Sequence, residues 1–234
     1  MQRTHINYEP LDRRLRTAAD FVRRNAVVAD IGTDHAYLPV FLIGTGKAKR
    51  GIAADINEGP VLRAKQNVRQ YKMEDSIEVV QTDGLIGLDG KGVTDIAICG
   101  MGGELISKIL DAAPFVKDES IRLILQPMTK SEDLYRYLCK NGFSIVGEAL
   151  VREDRIYRVI CAEYTGKAST PDDIHCLLGE KNIENGADLL SEYAARRIAE
   201  FTKKRNGMKS ADLDTSYEDK IISELELYAK AQNN

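Results

Sequence analysis

Tryptophan is absent from the 234 residues, and the four cysteines, Cys99, Cys139, Cys161 and Cys176, form no CxxC or short Cys/His pairing. Neither a zinc site nor a disulfide framework is indicated, so reduced thiols and no metal are expected. No apolar run approaches the roughly 20 residues of a membrane span. The Arg-rich opening MQRTHINYEPLDRRLRTAADF also lacks the apolar stretch of a secretory signal. A cytoplasmic protein with no membrane partner is the expectation. Strong charge of either sign is missing too: the net charge is −3, which argues against coating nucleic acid by bulk electrostatics and leaves local basic patches open.

With 43% hydrophobic and 29% charged side chains, the chain can bury one sizeable core and carry a smaller appendage. From Ala26, short aliphatic or β-branched runs alternate with helical patterns, the order that builds a parallel α/β sheet. The runs are AVVADI (26–31), RGIAADI (50–56), SIEVVQT (76–82), VTDIAIC (93–99) and IRLILQP (121–127), with helices between them at 36–45, 58–72, 102–113 and 130–140. Thr129 and Glu132 offer the last of these a capping box. Leu11, Leu15, Ala18, Ala19 and Val22 predict a leading amphipathic helix with its arginines outward. After Gly142, FSIVGEALVREDRIYRVICAEY reads as two strands turning at Arg152 to Arg155, so the sheet ends in an antiparallel hairpin. Residues 165–173 read as a linker. Ile183, Ala187, Leu190, Ala194, Ile198 and Phe201 predict one helix, stopped by Asn206-Gly207, and Tyr217, Ile221, Leu225 and Tyr228 predict a second, capped by Thr215 and Glu218. The division is a Rossmann-like sheet domain over 1–166 and a helical domain over 167–234. A chain ending near Gly166 is expected to fold.

In such a sheet the ligand lies at the carboxyl ends of the strands, near the point where the strand order reverses. After the first strand stands Asp30-Ile31-Gly32-Thr33-Asp34-His35-Ala36, a turn with one glycine where a dinucleotide fold wants G-x-G-x-x-G against a pyrophosphate. Thr33, Asp34 and Ala36 put side chains, one of them anionic, where phosphates would go. A phosphate-free adenosine ligand bearing positive charge fits instead, which describes S-adenosylmethionine. Asp55 ends the second strand 23 residues beyond Gly32, placed to accept from both ribose hydroxyls. Asp83-Gly84, after the third, can accept from an adenine amino group while the chain turns close to the ring. The fourth strand ends in Cys99-Gly100-Met101-Gly102-Gly103-Glu104, where three glycines in four residues bare the backbone to a ligand. Basic clusters occur at Arg13, Arg14 and Arg16; at Arg152, Arg155 and Arg158; and at Lys203, Lys204 and Arg205, with Arg196 and Arg197 just before. Each alone reads as a solvated face.

The segments VADIGTDHAYLP (28–39), AADIN (53–57), QTDGL (81–85), ICGMGGELI (98–106) and ILQPM (124–128) resemble the bacterial TrmK family of tRNA methyltransferases, which act on N1 of adenine 22. The resemblance implies a class I methyltransferase sheet with a helical, coiled-coil-like C-terminal domain. It further implies that Asp30, Gly32, Thr33, Asp34 and His35 form the first donor loop, and that Asp55 and Ile56 hold the ribose. Asp83 and Gly84 would then hold the adenine, and Gly100, Met101 and Gly102, continuing to Gly103, would face the methyl group. On that reading Asp34 is the candidate carboxylate beside the cationic product base, with His35 as its hydrogen-bonding neighbour. Tyr37 is the nearest stacking surface for a base taken out of its stack. The three basic clusters become candidate tRNA contacts, although residues 167–234 hold 10 Lys and Arg against 13 Asp and Glu. Three alternatives stay open: a methyltransferase for small molecules or proteins with the helices as a lid, a nucleotide-binding oxidoreductase, and a non-catalytic RNA-binding protein. Oligomeric state is not legible.

Overall fold

A computed structural model describes residues 11–231. The five aliphatic runs form parallel strands: β1 (Ala26–Ile31), β2 (Ala48–Asp55), β3 (Ile77–Gln81), β4 (Asp95–Met101) and β5 (Arg122–Pro127). An antiparallel hairpin of β6 (Phe143–Arg152) and β7 (Ile156–Tyr164) completes a seven-stranded sheet of order β3-β2-β1-β4-β5-β7-β6. Every residue of β1 is buried, as befits a central parallel strand covered on both faces. The strand order reverses between β1 and β4, which is where a ligand crevice is expected.

Alternation along the strands sends neighbouring side chains to opposite layers. On one face, Val28, Ala97 and Ile124 meet Ala18, Ala19, Leu38 and Leu42 from α1 (Arg13–Phe21) and α2 (Tyr37–Gly44). On the other, Ile96, Ile98, Leu123 and Leu125 meet Ile106, Leu110, Leu134 and Leu138 from α4 (Gly103–Asp111) and α5 (Ser131–Lys140). Between α2 and α4 in the chain, α3 (Glu58–Gln70) packs Ala64 and Val68 against Ala53 and Ile77. Asp12 caps α1, its Oδ1 accepting from Leu15 N at 2.6 Å.

The C-terminal region differs from its sequence pattern in detail. It holds α6 (Asp173–Leu178), α7 (Glu180–Glu184), α8 (Leu190–Ser210) and α9 (Ser216–Ala231). The helix expected from Ile183 onward is broken at Gly186, whose φ is +58°. Conversely, α8 passes through Asn206-Gly207 to Ser210. Glycine in an exposed helix costs only about 1 kcal/mol, and the seam with α9 offsets that: Lys204 meets Glu218 at 2.8 Å and Arg205 meets Asp219 at 3.2 Å. Glu218 is therefore engaged across the seam, and the Thr215 hydroxyl donates to Asp219, so the expected capping box is absent. The box at Thr129 is absent as well. Lys130 is the N-cap of α5, in the left-handed region, and Glu132 pairs with Arg197 of α8 at 2.9 Å.

Residues 165–169 are pinned rather than loose, since Thr165 N and Gly166 N donate to Gly142 O and Ser169 N to Cys139 O. Beyond them the helices pack on the hairpin, where Ile156 joins Leu177, Leu178, Tyr193, Ala194, Ile221 and Leu225 in one cluster. Arg158, read from sequence as part of a basic patch, is fully buried. Its Nε donates to Glu148 Oε1 at 2.7 Å and its Nη1 to Cys176 O at 2.7 Å, while Glu148 Oε2 accepts from Lys181 N. Ending the chain near Gly166 would strip cover from this ion pair and from Ile156. No described helix is long and apolar enough to cross a membrane.

Candidate active site

The turn after β1 is tied to β2 by its backbone: Gly32 N and Thr33 N both donate to Ala54 O, at 2.8 and 3.0 Å. Gly32 has a φ of +75°, which strains any L side chain, and an added Cβ would also displace the flexible end of Met101, whose Cε lies 2.1 Å away. Thr33 Oγ1 accepts from Ala36 N and starts α2. Asp30 lies beneath this turn, only 7% exposed. Burial pushes its carboxyl up from 3.8 to about 6; the Thr33 hydroxyl opposes that rise and the nearby Asp55 charge adds to it.

Asp34 stands at the mouth, its side chain 63% exposed, ion-paired with Arg63 and 3.4 Å from His35 Nε2. The His35 ring stacks on Tyr37, with centroids 4.9 Å apart and planes 10° from parallel, and the His35 carbonyl accepts from Asn67 Nδ2 at 2.6 Å. Asp34, His35 and Tyr37 line one cleft of about 250 Å³ with Arg14, Asp30, Cys99 and Gly100. The Cys99 thiol is driven far up by burial and by the Asp30 charge, so it is a wall and not a nucleophile.

At the end of β2, Asp55 Oδ1 accepts from Asn57 N at 2.8 Å, and Ile56 beside it is 55% exposed. At the end of β3, Asp83 and Gly84 border a slot walled by Leu85, Ile86, Leu105 and Ile109, apolar surface of the kind a flat base covers. The fourth-strand turn is held from β5: Gly100 N donates to Gln126 Oε1 at 3.1 Å, Met128 N to Met101 O, and Gly103 N to Thr129 O. Gly100 takes a φ of +81°, and a Cβ on Gly103 would sit 2.3 Å from the Lys130 carbonyl oxygen. Gly102 has an ordinary φ of −69°, so it is needed for neither reason.

The structure thus brings Asp30, Gly32, Thr33, Asp34, His35 and Gly100 to one cleft, and sets Asp83 and Gly84 on a separate slot against α4. The basic clusters divide. Arg13 and Arg16 are exposed, but Arg14 turns inward to the cleft, against the outward orientation expected for the helix arginines. Arg152 pairs with Glu192, and Lys204 and Arg205 are engaged with α9. Between the end of β5 and α8 a second cleft is lined by Met128, Lys130, Arg155, Tyr157 and Arg196. Arg155 lies over the Tyr157 ring at 4.8 Å, and Arg14 approaches the same ring at 5.7 Å, so the two clefts adjoin there. Sequence reasoning missed Gln126 and the inward turn of Arg14. The only signal for the former was a glutamine inside an otherwise apolar strand run.

A family profile described as a methyltransferase domain matches residues 11–160. The tRNA (adenine(22)-N(1))-methyltransferase of Bacillus subtilis is 38% identical over 176 residues, covering 74% of each chain. The crystal structure of B. subtilis TrmK superposes with a TM-score of 0.79 at 30% identity, covering 94% of this chain and 96% of that one. M. capricolum TrmK bound to S-adenosylhomocysteine gives 0.82 at 26% identity, covering 95% and 99%. A buried acid and a bare glycine turn at the centre of the sheet, acids after the two strands beside it, and relatedness over most of the length agree: this chain belongs to the TrmK family of tRNA (adenine(22)-N(1))-methyltransferases.

Proposed function

We propose that the protein methylates N1 of adenine 22 in tRNA, with S-adenosylmethionine as donor. The observation that carries this reading is the extent of identity to the B. subtilis enzyme, over about three quarters of both chains. The site fits the donor: it offers a buried carboxylate for an ammonium group, a glycine turn in the left-handed region, and an apolar slot beside Asp83. When bound, S-adenosylmethionine supplies a methyl group made electrophilic by the sulfonium.

In this reading Asp83 and Gly84 hold the adenine end, Asp55 with Ile56 the ribose, and Asp30 with the Gly32-Thr33 turn the amino acid end. Gly100, Met101 and Gly102 border the methyl. Adenine N1 carries an in-plane lone pair and needs no prior proton removal, so the residues work by alignment and electrostatics rather than as a base. His35 and Tyr37 present a stacked aromatic wall for the extruded base. Asp34 faces the cleft mouth and compensates the positive charge of the product base. Its pairing with Arg63 is at the surface, worth about 0–1 kcal/mol, and exchanges at little cost. Arg13, Arg16, Arg152, Arg155 and Lys203, with Lys204 and Arg205 where their α9 partners release them, contact tRNA phosphates. The adjoining second cleft takes the chain flanking the base. Residues 1–166 carry the donor and 167–234 complete the RNA surface.

Transfer of labelled methyl to an unmodified tRNA transcript, compared with a transcript bearing guanine at position 22, tests the reading. Label in the first and none in the second is expected. Equal labelling of both would overturn the assignment of the target.

A further inference from the structure

Among the described residues lining the second cleft, a space of about 270 Å³, Glu200 is the single carboxylate, set among Lys130, Arg155, Arg158, Arg196 and Arg197. Two of these cations are neutralised from outside the cleft, Arg158 by Glu148 and Arg197 by Glu132. Lys130 stands 3.5 Å from Asp133 and 3.7 Å from Glu104. Arg155 has no ion pair among the described residues: its guanidinium lies on the Tyr157 ring and donates to the Met128 carbonyl at 3.1 Å. Arg196 has Glu200 as its one acid there. The cleft therefore holds more positive charge than its own wall balances.

Glu200 bridges two guanidiniums. Its Oε1 accepts from Arg196 Nε at 2.8 Å and its Oε2 from Arg197 Nη1 at 2.7 Å. A phosphodiester, with two free anionic oxygens, is held by a pair of arginines in the same manner. The carboxylate is loosely kept in that place, since its side chain is 42% exposed and that of Arg196 33%, four residues apart on one helix. Surface pairs of this kind contribute little, so one monoanion replaces another at small cost while the displaced Glu200 is solvated. The cations are also short of acceptors. Arg197 Nε and Arg158 Nη2 are buried without a hydrogen bond among the described residues, although the latter faces Glu148 as an ion pair.

Position says which anion fits. The edge of the cleft from Met128 to Lys130 is the segment that holds the turn after β4, through Met128 N to Met101 O and Gly103 N to Thr129 O. A base presented at that turn carries its ribose and backbone outward past this edge, so the charge that arrives in the second cleft is the backbone's own. We propose that Arg196 and Arg155 bind a backbone phosphodiester flanking the target nucleotide, and that Glu200 occupies the phosphate's place in the free protein and yields it when tRNA binds. The proposal rests on the tRNA reading above and gives its second cleft a defined ligand group and an internal competitor.

Binding of unmodified tRNA to Glu200→Gln, Arg196→Gln and the double variant tests it, beside a synthetic tRNA in which neutral methylphosphonates replace the phosphodiesters flanking position 22. Removing the competitor in Glu200→Gln should raise tRNA affinity about threefold to tenfold. Arg196→Gln should lower it about tenfold, the lower end for one charge-assisted contact, and reduce the salt slope by about one. In the double variant, and on the methylphosphonate tRNA, the gain from Glu200→Gln should vanish, and Arg196→Gln should cost little more on that tRNA. S-adenosylhomocysteine affinity should stay within about twofold throughout, and urea midpoints establish that each variant is folded. Unchanged or weaker tRNA binding by folded Glu200→Gln overturns the proposal, as do full multiplication of the Arg196→Gln and methylphosphonate losses or a matching loss of S-adenosylhomocysteine affinity. If the unaltered protein methylates a different nucleotide, the target reading fails, while the effects of Glu200→Gln and Arg196→Gln on tRNA affinity and salt slope still decide the phosphate site.

Discussion

Replacing Asp30 by asparagine should make the ligand-free protein more stable and a worse enzyme. Burial pushes this carboxyl from 3.8 to about 6, so at neutral pH the folded chain carries a charge it disfavours. At 1.36 kcal/mol per pH unit that difference amounts to about 3 kcal/mol. Because the folded-state value lies above the unfolded one, the group's favourable contribution is fully present below pH 3.8 and lost as pH rises through about 6. The asparagine amide cannot ionise. The gain from Asp30→Asn should thus be near zero at pH 4, grow to pH 6 and level off at about 2–3 kcal/mol once a weakened contact to the Thr33 hydroxyl is subtracted. For a chain of this size that is about 5–10 °C in Tm. Urea unfolding of both proteins between pH 4 and 8 measures the difference. S-adenosylhomocysteine affinity should fall at least about tenfold at pH 8, because the partner of the ammonium has gone. A variant less stable than the parent at pH 8, or a difference that does not vary with pH, would refute the burial argument.

Asp55→Ala should cost about tenfold or more in donor affinity through lost ribose hydrogen bonds, together with about 1 kcal/mol of stability from the turn bond to Asn57; unchanged affinity by calorimetry contradicts the ribose role. Glu148→Gln strands the buried Arg158 charge and should destabilise the protein by about 3–5 kcal/mol, measured by urea unfolding. A chain ending at Gly166 should for the same reason be unfolded or aggregated, and a cooperative melt from that fragment would show that the helices are not needed to cover the hairpin. Gly103→Ala should harm folding, since its Cβ would meet the Lys130 carbonyl at 2.3 Å. Gly102→Val should fold and lose turnover, so tRNA methylation near the parent rate would displace the methyl site from that turn.

The α/β order was readable because the central parallel strands are covered on both faces and appear as aliphatic runs, β1 with all six residues buried being the extreme case. The strand-end acids were readable because topology alone puts Asp30, Asp55 and Asp83 on one edge. What escaped depends on partners distant in sequence. Arg158 and Arg152 look alike six positions apart, but the strand turns one under the helices to Glu148 and leaves the other at the surface, paired with Glu192. Lys204 and Arg205 look like an RNA patch until α9 folds back with Glu218 and Asp219. Arg14 sits on the same turn as Arg13 and Arg16, and nothing local distinguishes it; Gln126, 112 positions later, does. The break at Gly186 and the continuation through Gly207 show why glycine is a weak marker by itself: a helix continues where its neighbour supplies ion pairs and stops where it does not.

The central claim is a reaction at one atom of one nucleotide. Mass spectrometry of ribonuclease fragments and nucleosides, from unmodified tRNA incubated with the protein and labelled S-adenosylmethionine, reads donor, product and position together. 1-Methyladenosine confined to the fragment containing position 22 is expected. A different methylated nucleoside, the same nucleoside at another position, or no incorporation by folded protein that binds the donor would contradict it.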